Sequence, residues 1–179
     1  MSALVQWIEG YAGIWVPYAM AGLGGAVTER SGVPHIALEA CMAAGAVAAI
    51  AGELAGAGVL GGAVCAAAAG GFVGILHAFS TQALRVDGVV SGFALNLGTL
   101  AATRAALRIL YGSSSNSPST IASAYARGLR SPYLVVSLLL AALVPLWLGR
   151  SRFGLQLRSV GDNPTSAHAL GVHDGHALV

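Results

Sequence analysis

Charge is confined to a few short stretches of this 179-residue chain, and the gaps between them are long. Residues 10–28, 54–84, 88–103 and 131–149 contain no Asp, Glu, Lys or Arg. A helix that crosses a bilayer needs about 20 mostly apolar residues. The first and last gaps hold one span each, and 54–84 holds one span plus a turn. Between Glu39 and Glu53 lie 13 uncharged residues. That suffices for a further span where one or both glutamates sit at an interface or face the protein interior. The chain is 56% hydrophobic and only 9% charged, against roughly 25% charged in an ordinary soluble domain. A soluble fold of this length has no means of hiding so much apolar side chain. The basic residues are nine arginines and no lysine, and the formal net charge of +2 is too small for a nucleic-acid footprint.

In lipid the backbone must satisfy its own hydrogen bonds, so these apolar runs read as helices. The alternating ten-residue segments of a membrane barrel are missing. The expected fold is therefore all-α: a polytopic integral membrane helical bundle of about five transmembrane helices. They are placed near Tyr11–Val27, Ile36–Gly52, Val59–Phe79, Val89–Leu110 and Tyr133–Leu148. Gly58 and Gly62, and Gly70 and Gly74, are four apart and share a helix face, which predicts close helix packing. Cys41 and Cys65 read as small buried hydrophobes. They define neither a disulfide framework nor a metal site.

The stretch from Tyr111 to Arg130 carries Gly112-Ser-Ser-Ser-Asn-Ser-Pro118, Arg127 and Arg130. It reads as an aqueous loop, about 111–131, with a short helix around Ile121–Arg127. A second polar segment runs from Arg150 to about Gly175. Within it Asn163 suits a helix N-cap, Pro164 the first helical position and Gly171 the left-handed residue past the end. This predicts a two-turn helix over Pro164–Leu170, either docking on a soluble partner or lying in a plain surface loop. His176-Ala-Leu-Val179 reads as the start of another span. The expected organisation is one transmembrane domain over 1–179, incomplete at its C-terminal side. Met1–Gly10 has no basic n-region and no clear cleavage site follows it, which argues against a signal peptide.

Polar groups inside the apolar runs are candidates for function, because ionisable residues in lipid usually face a protein interior or an aqueous cavity. Pro34 breaks helix before Glu39. Irregular backbone at membrane depth is tolerated where it lines a cavity, so His35 and Glu39 read either as pathway-lining residues or as an interfacial turn whose acid sits favourably at a helix N-terminus. Asn96, in mid-span, meets a polar solute or bonds between helices. Arg104 and Arg108 read as snorkelling to the interface, and His77 as a core or interfacial histidine. No phosphate loop, nucleophile elbow or metal-ligand spacing emerges. His168, His173 and His176 with Asp174 straddle Gly171 and make a poor metal set. Neither enzymatic chemistry nor a cofactor is expected.

Three stretches carry a family resemblance. They are Gly24-Gly-Ala-Val-Thr-Glu-Arg-Ser-Gly-Val33 with Ile36-Ala-Leu-Glu39, then Leu84-Arg-Val-Asp-Gly-Val-Val-Ser-Gly-Phe-Ala-Leu-Asn-Leu97, and then Phe153–Val172. In order and spacing they resemble the permease subunit of bacterial ABC importers for nucleosides and simple sugars, in the branched-chain amino acid and ribose permease superfamily. The resemblance implies a multi-pass subunit of the bacterial inner (plasma) membrane. It further implies a second permease subunit, a separate ABC ATPase subunit and an extracytoplasmic substrate-binding lipoprotein as partners, with the lipid bilayer around them. It implies that Gly154, Arg158, Gly161, Asp162, Asn163 and Pro164 belong to a cytoplasmic coupling loop, about 150–175, that contacts the ATPase. That orientation leaves Arg30, Arg85, Arg150, Arg152 and Arg158 inside and Arg104, Arg108, Arg127 and Arg130 outside, a small bias of the expected sign. It implies that Glu39 and Asn96 lie near the translocation path, which His35 joins as a candidate from the residue reading above. His35 stands where the family usually has Asn, and Ala37 and Ala40 replace two glycines, which bears on specificity or competence. Family members also extend beyond 179 residues, so this copy reads as truncated. The expected function is import of nucleosides or simple sugars. The alternatives are a branched-chain amino acid permease or, from another class, a non-transporting scaffold or inactive remnant.

Overall fold

The computed structural model describes residues 3–32, 34–120, 131–169 and 171. Among the described residues all regular structure is helical. The helices are α1 (Ala3–Glu29), α2 (Leu38–Gly52), α3 (Gly58–Gln82), α4 (Gly88–Tyr111), α5 (Pro132–Arg150), α6 (Arg152–Asp162) and α7 (Pro164–Ala169), with a π-helical turn, Glu53–Ala57, between α2 and α3. Each of the five expected spans is a helix. The first is longer than expected, starting at Ala3 and running through Pro17. The short helix expected around Ile121–Arg127 falls outside the described residues. Two compact units emerge, Ile36–Tyr125 and a pairing of Met1–His35 with Ala126–Val179.

In the Ile36–Tyr125 unit, α2 and α3 form a hairpin. Its reversal depends on Gly56 (φ +92°) and Gly58 (φ +66°), conformations that cost a side-chain-bearing residue and that glycine adopts freely. The continuous apolar run Leu38–Gln82 therefore folds back on itself. Its two arms meet through small residues in a regular register. A methyl group on Gly70 would lie 3.2 Å from the Cys41 carbonyl oxygen, one on Gly45 3.3 Å from that of Ala66, and one on Gly62 2.8 Å from that of Ala49. Each step of four down α3 matches a step of four up α2, as an antiparallel pair of helices requires. At these points backbone lies directly on backbone, the approach that small residues permit in membranes. The packing face of α3 is thus Gly62, Ala66 and Gly70. Gly58 serves the turn and Gly74 has open space beside it, so the expected pairing of Gly58 with Gly62 and Gly70 with Gly74 is only half realised.

α4 closes this unit. Asp87 caps it, its carboxylate accepting from the N–H groups of Val89 (2.9 Å) and Val90 (3.2 Å). Gly112, in the left-handed conformation, ends it by donating to the Arg108 carbonyl. The buried His77 Nδ1 and Ser91 Oγ, 3.0 Å apart, tie α3 to α4, which bears out the reading of His77 as a core histidine.

The large apolar side chains point outward: Leu60 is 83% exposed and Ile109 82%. Buried positions include Ala37, Ala40, Val73 and Leu148. This is the reverse of a water-soluble domain and suits a lipid surround, where apolar side chains gain nothing by hiding and helices associate through packing. Besides the hairpin, Pro132–Arg150 is long and apolar enough to cross a membrane.

In the other unit α1 packs on α5. Pro132 occupies the first turn of α5, where its missing N–H costs nothing. Ser151 then starts α6, its Oγ accepting from Gly154 N–H at 3.0 Å. Any side chain at Gly154 would run into the Leu148 carbonyl, so glycine lets α6 fold tightly against the end of α5.

Substituting Gly62→Val forces a side chain against the Ala49 carbonyl. It is expected to cost about 1–3 kcal/mol, read as a lower thermal unfolding midpoint in detergent. Gly74→Ala, with nothing to meet, is expected to melt at or slightly above the parent, since alanine suits a helix interior better than glycine.

Candidate functional site

Two groups of residues stand out, one in each unit. The first is built around Asn96, half-buried on α4. The hydrogen-bond ladder of α2 begins with Cys41 N–H donating to the Ala37 carbonyl. One rung earlier, Ala40 N–H and the Ile36 carbonyl would be the helical pair. Instead the Asn96 side chain sits between them. Ala40 N–H donates to Asn96 Oδ1 at 2.9 Å, and Asn96 Nδ2 donates to the Ile36 carbonyl at 3.0 Å. Asn96 thereby supplies the cap that α2 lacks, because Ala37 at the N-cap position has no side chain to offer.

Gly92, one turn before Asn96, makes this approach possible. A methyl there would lie 2.6 Å from Ile36 Cβ. Ser91, Gly92 and Asn96 of the Ser91-Gly-Phe-Ala-Leu-Asn96 stretch thus all dock α4 onto its neighbours. The structure favours the interhelical reading of Asn96, with both functions of its amide committed to backbone. Glu39 lies in the first turn of α2, next to Ala40, with its side chain exposed. His35 precedes Ile36 in the chain, is half-buried, and belongs to the other compact unit.

The second group is α6 and α7 with the turn that ends α1. Asn163 caps α7 as expected: its Oδ1 accepts from Ser166 N–H at 3.1 Å, and its carbonyl from Ala167 N–H at 3.0 Å. Pro164 is the first helical residue, and Gly171 has φ +83°. Within the polar segment that follows α5, Arg152–Asp162 is also helical, ahead of the short helix that the capping signals predict. The signals for it are the Ser151 cap and the apolar positions Leu157 and Val160, which bury with Gly154 on one face. Val160 and Ala167 form a small apolar core between α6 and α7. Arg158, Asp162 and Asn163 are exposed.

Gly161 rests on the Arg30–Gly32 turn. A methyl on Gly161 would strike the Arg30 carbonyl, and one on Gly32 would lie 3.3 Å from Gly161 Cα. Gly32 has φ +83°, and the Ser31 hydroxyl donates to the Thr28 carbonyl at 2.6 Å. Two glycines far apart in sequence therefore let the first and third of the three stretches that carry the family resemblance meet backbone to backbone. The substrate-path candidates Glu39 and Asn96 belong to the Ile36–Tyr125 unit, and His35 and the coupling candidates to the other. Asn96 bonds the backbone of Ile36 and Ala40 on either side of Glu39 in the chain, while Gly154, Arg158, Gly161, Asp162, Asn163 and Pro164 lie on α6, α7 and their junction.

Among the described residues no group of His, Cys, Asp or Glu could hold a metal ion. His173, Asp174 and His176 lie outside those residues. Arg104 and Arg108 are exposed near the end of α4, as snorkelling side chains would be.

Replacing Asn96 by Leu, similar in size but unable to hydrogen-bond, removes the partners of one buried donor and one acceptor. The expected cost is roughly 1–3 kcal/mol, seen as an earlier melt in detergent. An unchanged melt would show that α2 closes the rung by itself. Asn163→Ala removes a cap worth about 1 kcal/mol and is expected to speed amide exchange at Ser166.

The family model for the branched-chain amino acid transport system permease component matches residues 7–175. The chain is 31% identical over 178 residues to the guanosine ABC transporter permease protein NupQ of Bacillus subtilis (strain 168), an alignment covering 88% of this chain and 56% of that protein. It is also 31% identical over 179 residues to the nucleoside ABC transporter permease protein NupC of Lactococcus lactis subsp. cremoris (strain MG1363), covering 88% of this chain and 56% of that protein. The chain thus spans about half the length of the curated relatives it matches. No solved structure matches it. A match over nearly the whole chain, with an all-helical fold whose apolar side chains face outward, shows that the chain belongs to the branched-chain amino acid transport system permease family.

Proposed function

We propose that this chain forms membrane-spanning helices of a permease subunit in an ATP-driven importer, and that the solute is a nucleoside. One observation carries the substrate class: both relatives above are named as nucleoside or guanosine permeases and align along 88% of this chain. The subunit sits in the bacterial plasma membrane as a multi-pass protein beside a second permease subunit. A binding lipoprotein outside delivers the solute. ATP is hydrolysed on separate ATPase subunits, and its binding shifts the permease between outward- and inward-open populations.

Within this reading the segment of about 150–175 is the cytoplasmic ATPase contact and the stretch of about 111–131 is external. Arg158, Asp162 and Asn163 present polar groups on a two-helix element that Leu157, Val160 and Ala167 hold rigid. Gly161 seats that element on the Arg30–Gly32 turn. Near the path, Asn96 fixes the start of α2, and Glu39 is the exposed ionisable group beside it. His35 stands just before. The family description itself favours a second reading, a branched-chain amino acid as solute, and simple sugars are the remaining class.

Uptake of labelled guanosine, uridine, ribose and leucine by cells with and without the intact operon tests the substrate. Nucleoside uptake is expected to fall at least tenfold in the deletion while leucine and ribose uptake is unchanged. Loss of leucine uptake alone would replace the nucleoside reading by the amino acid one. Arg158→Glu reverses a charge on the outer face of α6 and is expected to abolish co-purification of the ATPase without changing membrane insertion.

A further inference from the structure

The last two turns of α5 carry a groove to which the transport reading assigns no occupant. A groove of about 630 Å³ is lined by Leu143, Val144, Leu146, Trp147, Arg150 and Ser151. Leu143, Leu146, Trp147 and Arg150 follow the i, i+3, i+4, i+7 spacing of one helix face. All four are exposed, Leu143 at 56% and Trp147 at 55%. The groove is therefore an apolar track that ends in a cation.

Its depth follows from length. α5 has 19 residues, which rise about 28 Å, close to the roughly 30 Å hydrocarbon core. The last turn thus reaches the headgroup level. The aromatic pair there agrees, with Trp147 and Phe153 stacked at 5.5 Å between ring centroids. Tryptophan concentrates at that interface because its ring is apolar and its N–H is polar. Arg150 is followed by a second exposed arginine, Arg152. The next acid along the chain is Asp162, at the far end of α6.

We propose that this groove binds an anionic glycerophospholipid, its acyl chain lying along Leu143, Leu146 and Trp147 and its phosphate on Arg150. A guanidinium matches a phosphate in paired hydrogen bonds, and basic sites at the ends of spans select anionic headgroups. The inference needs the chain to span a bilayer, and it does not depend on what the permease carries.

The test uses the assembled permease in detergent with Trp7→Phe and Trp15→Phe, which leave Trp147 as the one tryptophan of this chain, compared with the same assembly carrying Trp147→Phe to subtract the partners' fluorescence. Lipids with brominated acyl chains quench a tryptophan that they touch. Brominated phosphatidylglycerol is expected to quench Trp147 with an apparent association about fivefold stronger than brominated phosphatidylcholine, the effect of one arginine near an anionic surface. Arg150→Gln is expected to bring the two lipids to parity, and Arg150→Lys to keep most of the difference. Soluble glycerol phosphate is expected to leave Trp147 unaffected and not to compete. Equal quenching by both lipids in the parent assembly would overturn the site, leaving ordinary contact with the bilayer. So would a preference that survives Arg150→Gln, or competition by glycerol phosphate, which would mark a site for free phosphate. Should Arg150→Gln not assemble, the comparison of lipids on the parent decides alone.

Discussion

Asn96 occupies the place where the Ala40 N–H and the Ile36 carbonyl would otherwise meet, and the reason lies in the solvent. In water the first N–H groups of a helix can turn to solvent. In lipid they cannot, and each must be met by protein. α2 has 15 residues and rises about 22 Å, less than the hydrocarbon thickness of about 30 Å. A helix that short cannot place both ends in water if it crosses. The carboxamide on α4 meets that demand from outside the helix, and Gly92 opens the space for it. Gly92 and Asn96 together hold α4 against the start of α2.

The hairpin of α2 and α3 shows how the rest is held. No hydrophobic force drives one apolar helix onto another in lipid, so close contact has to do it. Gly45, Gly62 and Gly70, with Ala49 and Ala66, bring two backbones together at four-residue steps. Bulky side chains are left for the lipid. The same device recurs at Gly161 and Gly32, outside the apolar spans, where it seats α6 on the end of α1. Glycine in this chain thus has two separate jobs. Gly56 and Gly58 turn the chain, whereas Gly62 and Gly161 let another segment touch it.

Much of this was legible from the residues. The spacing of charges locates the five helices of the apolar runs, because desolvation of charge is costly in a bilayer. The cap at Asn163, the proline after it and Gly171 defined α7, because capping is local in sequence. The helix Arg152–Asp162 does not stand out as an apolar run, because its composition is polar. Its Ser151 cap and the Leu157–Val160 spacing were there to be read. The partners of Asn96 lie 56 and 60 residues away, and nothing in the local sequence says which backbone groups a mid-span amide will meet. The contact of Gly161 with Arg30 was hidden for the same reason. Gly58 and Gly74 fitted a packing period that the hairpin turn displaced.

The antiparallel register of α2 and α3 also bears on how the protein is made. Alone, α2 is too short to span the apolar layer, and its first turn exposes groups that lipid cannot satisfy. Packed along its length on α3, it becomes half of a compact two-helix hairpin joined by a five-residue turn. The two arms are therefore suited to leave the translocation machinery together, with Asn96 arriving afterwards on α4 to secure the end that the hairpin leaves open.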